Sequence, residues 1–342
     1  MDQTPPALDD RALIGELRAT LVEVLGRYLR PGTRVALLDF PGHTNVGDSA
    51  IWLGELELLR ALRARLVYAG DITRYDPAVV RSRVGSGGLV LLHGGGNLGD
   101  LWPRHQAFRE RVLVDLAELP VIQLPQSIHF REPAAVARAR EIMTAHRSFT
   151  LLARDRPSLE FAERELGVRT TLCPDSAFML QLRRPVRARQ PVLWLSRTDH
   201  EAADSERGVL SGLAPVDWIR EPRGRLASVS GALDRWHARP SAPATSVRAW
   251  YRIQAGRRLR RGCRLLARGR VVVTNRLHAQ ILSLLMGIPH FFTDTAQGKL
   301  TAHYRTWLEA SLPGISCPSE REALDRAIAL AARMAPGQQE GR

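Results

Sequence analysis

The chain has 342 residues, which is enough for one large hydrophobic core but more typical of two domains. Its content of 44% hydrophobic and 25% charged residues is that of an ordinary globular protein, and no apolar run approaches the roughly 20 residues that span a bilayer. The net charge of +14 comes almost entirely from arginine, because Lys299 is the only lysine among the 49 basic residues.

The strong positive charge favours an anionic partner without naming it. Nucleic-acid binding is one interpretation of such a basic chain. However, the arginines are scattered among the predicted helices and no nucleic-acid-binding motif is present, so no nucleic-acid partner is expected. Attraction to an anionic membrane surface or to an anionic substrate stays open.

Cysteine usage and the first residues bear on the cellular compartment. The cysteines are odd in number and widely spaced, at Cys173, Cys263 and Cys317, which fits neither a disulfide framework nor a metal-ligand cluster. Residues 1–10 are acidic and polar, unlike a signal peptide. We therefore expect a cytoplasmic protein, with peripheral contact to the inner face of the cell membrane as an open alternative.

The first half of the chain alternates between apolar runs and segments of helical periodicity. Strands separated by helices of about ten residues predict right-handed βαβ units and a parallel sheet. The pattern predicts strands at 34–40, 66–70, 88–94, 120–124, 148–154 and 168–173, and helices at 10–30, 50–66, 76–83, 105–117, 133–146 and 157–166.

A polar segment at 183–190 is typical of a linker, and a second series of elements follows it. Loops with short helices are predicted for 200–245. The remaining pattern predicts strands at 191–197, 270–275 and 289–294, and helices at 246–267, 277–287 and 319–334. The sequence thus predicts an α/β protein of two Rossmann-like domains, 1–186 and 187–342, that face each other across a cleft.

Polar clusters follow six of the predicted strands. In parallel α/β folds, ligands bind outside the carboxyl ends of the strands, so these clusters are expected to line the cleft. Their sequences are GHTNVGDSA, HGGGNLGD, ARDRPS, PDSAF, SRTDHE and TNRLHA.

The segment HGGGNLGD, residues 93–100, matches neither named nucleotide-binding glycine motif. Consecutive glycines allow a tight turn, a close approach of the backbone to a ligand, and N–H groups directed at an anion. The alternative for the glycines is a turn that needs positive φ and binds no ligand. The alternative for His93 is a buried histidine with a purely structural role. An Asn-x-Gly-Asp pattern occurs here and in the earlier loop, so the residues of both loops are candidates either for pinning the two loops together or for binding a substrate. These candidates are Asn45, Asp48, Gly94, Gly95, Gly96, Asn97 and Asp100.

The segment TNRLHA, residues 274–279, lies where a buried strand is predicted to meet a helix. Arg276 and His278 would stand near the helix N-terminus, where an arginine and the helix dipole favour an anion. Histidine is the usual general acid or base near neutral pH. A solvent-facing Arg/His pair is the alternative.

Lys299, in the segment DTAQGKL, is the single lysine in a chain that otherwise uses arginine. A compact ammonium contacts phosphate as a point charge and transfers protons, which a guanidinium does not. A chance survival is the alternative.

Taken together, these segments resemble the polysaccharide pyruvyl transferase family. The matching stretches are NVGDSAI, LLHGGGNLGDLW, LPQSI, RDRPS, PDSAF and TNRLHAQILSLLMGIPHFFTDTAQGKL, which keep the order of the family motifs over roughly residues 34–310. Where the family often has Asn-Ser-Tyr-Gly-Lys, this chain has Thr-Ala-Gln-Gly-Lys, and region 200–250 matches least.

The resemblance implies a two-domain fold similar to the GT-B-like glycosyltransferases. It also implies transfer of a pyruvyl group from phosphoenolpyruvate to two hydroxyls of a saccharide, which forms a cyclic ketal and releases phosphate. Family motifs that contact phosphoenolpyruvate map onto Arg276, Leu277 and His278, with Arg154 in the Arg-Asp segment and His93 before the glycines. Phosphoenolpyruvate carries a phosphate and a carboxylate, so Arg276, Arg154 and Lys299 are the expected anion ligands, and His278 and His93 the expected catalytic groups.

The partners that follow are phosphoenolpyruvate and a saccharide acceptor, with a lipid-linked acceptor at the membrane left open. No Asp-x-Asp metal motif is found, so neither an obligatory metal nor another cofactor is expected. Two alternatives stay open: a glycosyltransferase of the same fold that uses a nucleotide sugar, and a non-catalytic scaffold for polysaccharide assembly.

Overall fold

The computed structural model describes residues 11–197, 210, 212–219, 244–294, 298–309 and 314–334. The chain divides into two compact units. The large unit comprises Gly15–Leu180 and Glu221–Arg258, and the small unit Met1–Ile14, Gln181–Arg220 and Leu259–Arg342.

A seven-stranded parallel sheet forms the core of the large unit. Its strands run in the order β2-β1-β3-β5-β6-β7, and β4 pairs with the far end of β5. The central strands are nearly continuous apolar runs because helices cover both faces of a parallel sheet. The strands are β1 (Arg34–Leu38), β2 (Arg65–Gly70), β3 (Leu89–Leu92), β4 (Gly95–Leu98), β5 (Val121–Ile128), β6 (Phe149–Ala153) and β7 (Thr170–Leu172).

The helices of the large unit begin with recognisable signals. Asn45, Asp76 and Asp155 each accept hydrogen bonds from backbone N–H groups of the first turn, which satisfies donors that a helix leaves unpaired. The helices from the first half of the chain are α1 (Arg11–Gly26), whose first four residues belong to the small unit, α2 (Val46–Ala61), α3 (Pro77–Val84), α4 (Pro103–Asp115), α5 (Pro133–Ala145) and α6 (Arg156–Phe161), followed by a π-helical turn at Ala162–Leu166 and a 3-10 turn at Ser176–Met179.

A four-stranded parallel sheet in the order β11-β10-β9-β8 organises the small unit. Val271, Val273 and Phe291 from this sheet pack against the apolar face of the last helix in a core of their own. The elements from the second half of the chain are β8 (Gln190–Leu195), α7 (Ala244–Leu266), β9 (Gly269–Thr274), α8 (Leu277–Leu285), β10 (His290–Phe292), α9 (Lys299–Trp307), β11 (Ile315–Ser316) and α10 (Glu320–Arg333).

The alternation predicted from the sequence is confirmed, and so is an α/β fold with parallel sheets consistent with a Rossmann-like architecture. Two strands and one α-helix of the described part of the chain were missed. Strand β4 lies in the glycine segment that was predicted as a loop, and α9 and β11 were not predicted. The loops predicted for 200–245 fall mostly outside the described residues. The domain bounds 1–186 and 187–342 and the arrangement of the domains across a cleft stay predictions.

No helix in the described part of the chain is both long enough and apolar enough to cross a membrane.

Candidate active site

The glycine segment runs along the carboxyl end of β5 instead of forming a free loop. Gly94 is needed for close packing, because a Cβ there would lie 2.8 Å from the carbonyl oxygen of Pro125. Gly95 has φ +133°, a conformation that side chains rarely adopt. The segment therefore has a steric reason for its first two glycines that does not require a bound anion.

Buried amides and one buried arginine hold this segment in place. Gln126 donates to the carbonyl of His93 (3.1 Å) and to Oδ1 of Asn97 (3.0 Å). Arg109 donates to Asn97 Oδ1 (2.6 Å) and to Oε1 of Gln123 (3.0 Å). Asn97 is thus engaged in fixing the backbone around β4, while its assignment to the acceptor stays a prediction.

His93 forms a buried pair with Glu55 of α2. Its Nδ1–H donates to Glu55 Oε2 over 2.8 Å, and the other carboxylate oxygen accepts the N–H of Gly94 over 2.8 Å. The side chains are 2% and 0% exposed. Burial favours the neutral imidazole, but the Glu55 carboxylate outweighs it and raises the pKa of His93. Nε2 of His93 is buried and has no hydrogen-bond partner among the described residues, so it is the nitrogen left for a reacting group.

A second buried carboxylate follows β1. Asp39 accepts hydrogen bonds from His105 Nδ1 (2.9 Å) and from Arg109 Nη2 (3.1 Å). Burial favours the neutral acid, but the His105 hydrogen bond and the Arg109 charge outweigh it and lower the pKa of Asp39. This carboxylate is therefore charged and ties β1 to α4.

The first Asn-x-Gly-Asp segment caps α2. Asn45 accepts the N–H of Gly47 over 3.2 Å and donates its own amide to Asp48 Oδ2 over 2.8 Å. His43 Nε2 lies 3.5 Å from the same Asp48 oxygen. Burial lowers the pKa of His43 despite Asp48. Asp48 thus joins the cap residue of α2 to a histidine of the preceding loop.

In the second Asn-x-Gly-Asp segment, the aspartate contacts the backbone of a distant loop. Asp100 Oδ2 accepts the N–H groups of Arg131 and Glu132, each over 2.7 Å, immediately before α5 begins. The two Asp residues of the repeated pattern therefore make different contacts. Asp100 supports the loop-pinning alternative through these bonds.

Arg154, at the end of β6, belongs to a buried polar group. Its Nη1 donates to Asp175 Oδ2 (2.9 Å) and its Nε to Ser127 Oγ (2.8 Å), while Ser127 donates to Asp155. The Arg154 side chain is 3% exposed. Its role toward phosphoenolpyruvate stays a prediction.

Aromatic side chains pack beside the His93 pair. The Trp52 ring lies 5.7 Å from the His93 ring, and Phe40 stacks on Tyr251 of α7 at 3.9 Å. Trp52 Nε1 is buried without a hydrogen-bond partner among the described residues. Trp52, Phe40 and Tyr251 are 1%, 3% and 4% exposed, so their ring faces are packed inside the protein and fix the position of His93.

In the small unit, the TNRLHA segment joins β9 to α8 as predicted, and Arg276 is the residue that precedes the helix. Arg276 Nη2 pairs with Asp217 Oδ2 over 2.7 Å, with side chains 4% and 1% exposed. Its guanidinium also lies 5.9 Å from the ring of Trp218. This acidic partner was not predicted, and it holds the guanidinium in a fixed position.

Asn275 ties three strand and helix ends of the small unit together. It accepts the N–H of Arg197 (2.8 Å) and donates to Ser196 Oγ (2.9 Å) and to Glu320 Oε1 (3.2 Å). Ser196 also donates to Glu320 over 3.0 Å. Asn275 therefore fixes the turn that carries Arg276 and His278.

The other predicted residues of this unit lie on two helix starts. Leu277 and His278 open α8 and are 6% and 9% exposed. Lys299 opens α9, whose first turn is held by Asp294, which accepts the N–H groups of Leu300 and Thr301. Both helix N-termini favour negative charge.

The structure thus brings Asn45, Asp48, His93, Gly94–Gly96 and Asn97 together in the large unit, and Arg276, Leu277 and His278 in the small unit. Glu55, Asp39, His43 and His105 were missed. His43 lies in the segment GHTNVGDSA but was not identified as a candidate. Glu55, Asp39 and His105 could not be identified because each contacts a partner that lies far away along the chain. No group of three or more metal-ligating side chains suited to a metal ion is found among the described residues.

Comparisons with known proteins agree on one family. The family model "Polysaccharide pyruvyl transferase" matches residues 45–296. Pyruvyl transferase 1 of Schizosaccharomyces pombe is 33% identical over 310 residues, which cover 87% of this chain and 75% of that protein. The putative pyruvyl transferase EpsO of Bacillus subtilis is 26% identical over 290 residues, 81% of this chain and 86% of that protein. An uncharacterized protein of Klebsiella pneumoniae shares the fold, with a TM-score of 0.58 at 16% identity over 89% of this chain and 99% of that one.

Proposed function

The chain belongs to the polysaccharide pyruvyl transferase family, and from that premise we propose that it transfers the pyruvyl group of phosphoenolpyruvate to two hydroxyls of a saccharide. The product is a cyclic ketal and the by-product is phosphate. The observation that carries the proposal is the buried Glu55–His93 pair beside the glycine segment, because it supplies an oriented proton-transfer group to a pyruvyl transferase.

We assign the binding of the pyruvyl donor, phosphoenolpyruvate, to residues at strand and helix ends that suit its phosphate and carboxylate groups. Arg276 and His278 stand at the start of α8, and Lys299 at the start of α9. Cationic side chains together with helix N-termini favour a phosphate and a carboxylate. Arg154 is proposed as a further donor contact from the large unit.

The acceptor is assigned to the large unit. Asp48, whose side chain is 21% exposed, and the edge of the His93 ring offer hydrogen-bond acceptors to sugar hydroxyls. Trp52 packs against the His93 ring and fixes its position.

The proton balance defines what the histidines must do. The two acceptor hydroxyls lose two protons in all. The methylene carbon of phosphoenolpyruvate gains one proton, and the second proton leaves with phosphate. Protonation of the methylene carbon makes C2 electrophilic, two C2–O bonds to the sugar form, and the C2–O bond to phosphate breaks. We assign the protonation to His278 and the first hydroxyl to His93.

The reaction as proposed uses no metal and no other cofactor. A cytoplasmic location, with or without contact to a lipid-linked acceptor at the membrane, suits a chain that draws on phosphoenolpyruvate. These statements are part of the proposal.

The test is incubation of the purified protein with phosphoenolpyruvate and candidate saccharides, in which released phosphate and the mass of the acceptor are followed. A ketal raises the acceptor mass by that of pyruvic acid less one water, with one phosphate released per ketal. His278→Ala should abolish both ketal formation and phosphate release while the melting temperature is kept.

A nucleotide sugar that raises the melting temperature where phosphoenolpyruvate does not would support a glycosyltransferase instead. Loss of activity with a chelator and its recovery with magnesium would contradict the metal-free reaction.

A further inference from the structure

The large unit contains a second histidine that is held by a buried carboxylate. His105, in the first turn of α4, places its Nδ1 2.9 Å from Asp39 Oδ1 and 3.1 Å from Oδ2. The contact repeats that of His93 with Glu55, in which Nδ1 is also the nitrogen bound to a carboxylate. In both pairs the contact leaves Nε2 for other chemistry.

Asp39 is fixed more firmly than a surface aspartate would be. It is 1% exposed and lies directly after β1 with φ 70°, an uncommon conformation for a residue other than glycine. Arg109 donates to its second oxygen over 3.1 Å and is itself 1% exposed. The carboxylate is therefore charged and immobile, so it selects the His105 tautomer with hydrogen on Nδ1.

His105 differs from His93 in how it meets solvent. Its side chain is 18% exposed, whereas that of His93 is 2% exposed. Among the described residues, no hydrogen bond to its Nε2 is found. A hydroxyl that arrives from solvent can therefore reach a histidine whose basic nitrogen is available.

His105 also belongs to the same group of loops as the assigned acceptor residues. Its ring centroid lies 6.5 Å from that of His43, and His43 Nε2 lies 3.5 Å from Asp48. Asp39 and His93 follow neighbouring strands β1 and β3 at the carboxyl edge of the sheet. The two carboxylate–histidine pairs thus stand at one edge of one sheet.

We propose that His105, oriented by Asp39, is the general base for the second acceptor hydroxyl, the one that closes the ketal ring. This inference rests on the proposed function. Ring closure forms the second C2–O bond as His105 Nε2 takes the hydroxyl proton, which then passes to the departing phosphate. One pair serves each of the two hydroxyls that the reaction must deprotonate.

The test uses His105→Gln in the full-length protein, with phosphate, ketal and pyruvate measured in the same reaction. If ring closure fails, water captures C2 and the adduct breaks down to pyruvate and free acceptor. We expect ketal formation to fall by at least about tenfold, with phosphate release falling less and pyruvate accounting for the difference. In His105→Ala, added imidazole should restore part of the ketal rate.

The control is Arg104→Gln, which changes an exposed neighbour on the same helix and should keep the wild-type ratio of one ketal per phosphate. His105→Asn keeps a side-chain N–H for Asp39 and replaces the Gln variant if that one melts early. A fall of less than about tenfold overturns the proposal, as does a larger fall in which phosphate drops equally and imidazole restores nothing. If the wild-type protein makes no ketal with any acceptor, the proposed function itself is wrong and the His105 variants are not the cause.

Discussion

His93 and Glu55 share a buried hydrogen bond of 2.8 Å between Nδ1 and Oε2, and the same carboxylate binds the N–H of Gly94. The bond joins the first residue of the glycine segment to the middle of α2, 38 positions away. It sets the orientation of the imidazole and the nitrogen that it offers to a substrate.

Glu55→Gln should lower kcat for ketal formation strongly while the fold is kept. The amide keeps the size of the side chain but no longer provides two anionic oxygens to Nδ1–H and Gly94 N–H. We expect a loss on the order of 10²-fold in kcat, the lower end of what general acid–base catalysis contributes, with KM changed little. Steady-state kinetics and the melting temperature would be measured together.

Glu57→Gln is the matched control on the same helix, since Glu57 pairs with the exposed Arg60 at 2.7 Å and should be replaced without loss. Equal kcat values for Glu55→Gln and Glu57→Gln would contradict a role of Glu55 in orienting His93.

The same pair predicts how stability depends on pH. Glu55 raises the pKa of His93 in the folded protein above the ordinary value of about 6.5, so the folded state binds a proton more tightly than the unfolded chain. The contribution is fully present below about pH 6.5 and is lost as the pH rises through the raised pKa. The free energy of unfolding from urea titrations should therefore fall with rising pH over this interval. Burial also raises the pKa of Glu55, so His93→Gln alone would leave a buried carboxylate whose pH dependence has the same sign. The fall should therefore be smaller in the double variant His93→Gln/Glu55→Gln; an equal slope would contradict the assignment.

The sequence predicts most of the helices and strands, but it predicts fewer of the side-chain contacts in the candidate site. The apolar residues after Arg34 in the segment RVALL predict β1, and the structure buries all four of them. The segment TNRLHA joins β9 to α8, as its sequence predicts. Strand β4 was missed because Gly95 and Gly96 have low strand propensity, and only pairing with β5 makes them extended.

The site follows the same division. His93 and Arg276 were identified because they stand in recognisable segments. Their partners Glu55 and Asp217 were not, because the partners lie 38 and 59 residues away and only the fold brings them together. Glu55 lies among the glutamates of an amphipathic helix, where burial to 1% is not visible in the sequence.

Gly94→Ala should destabilise the protein because a methyl group would lie 2.8 Å from the Pro125 carbonyl oxygen, a backbone atom that cannot rotate away. We expect a loss of about 1–3 kcal/mol in the free energy of unfolding, the usual cost of overpacking. Gly87→Ala is the control, because a Cβ at that exposed position meets no atom within 4 Å. Denaturant unfolding compares the two, and equal stability would show that the backbone at Gly94 is not held close to Pro125.

The Arg276–Asp217 ion pair separates stability from substrate binding. Arg276→Gln removes the guanidinium that pairs with the buried Asp217 carboxylate and should cost about 3–5 kcal/mol in the free energy of unfolding. Arg276→Met combined with Asp217→Leu removes both charges and should recover most of that stability. If Arg276 binds phosphoenolpyruvate, the double variant stays inactive although it is stable. Recovery of both stability and activity would assign Arg276 to structure alone.

Lys299→Arg tests whether the single lysine of the chain has a role that arginine does not fill. The substitution keeps the positive charge at the start of α9 but replaces a compact ammonium by a planar guanidinium, which binds phosphate with different geometry. We expect KM for phosphoenolpyruvate to rise by roughly tenfold, because one phosphate contact of about 1.4 kcal/mol is lost while the fold is kept. Arg305→Lys, the reverse change at an exposed position of the same helix, is the control and should behave as wild type. If Lys299→Arg retains full activity at limiting phosphoenolpyruvate, Lys299 does not bind the donor, and its place at the helix start serves only the local charge balance.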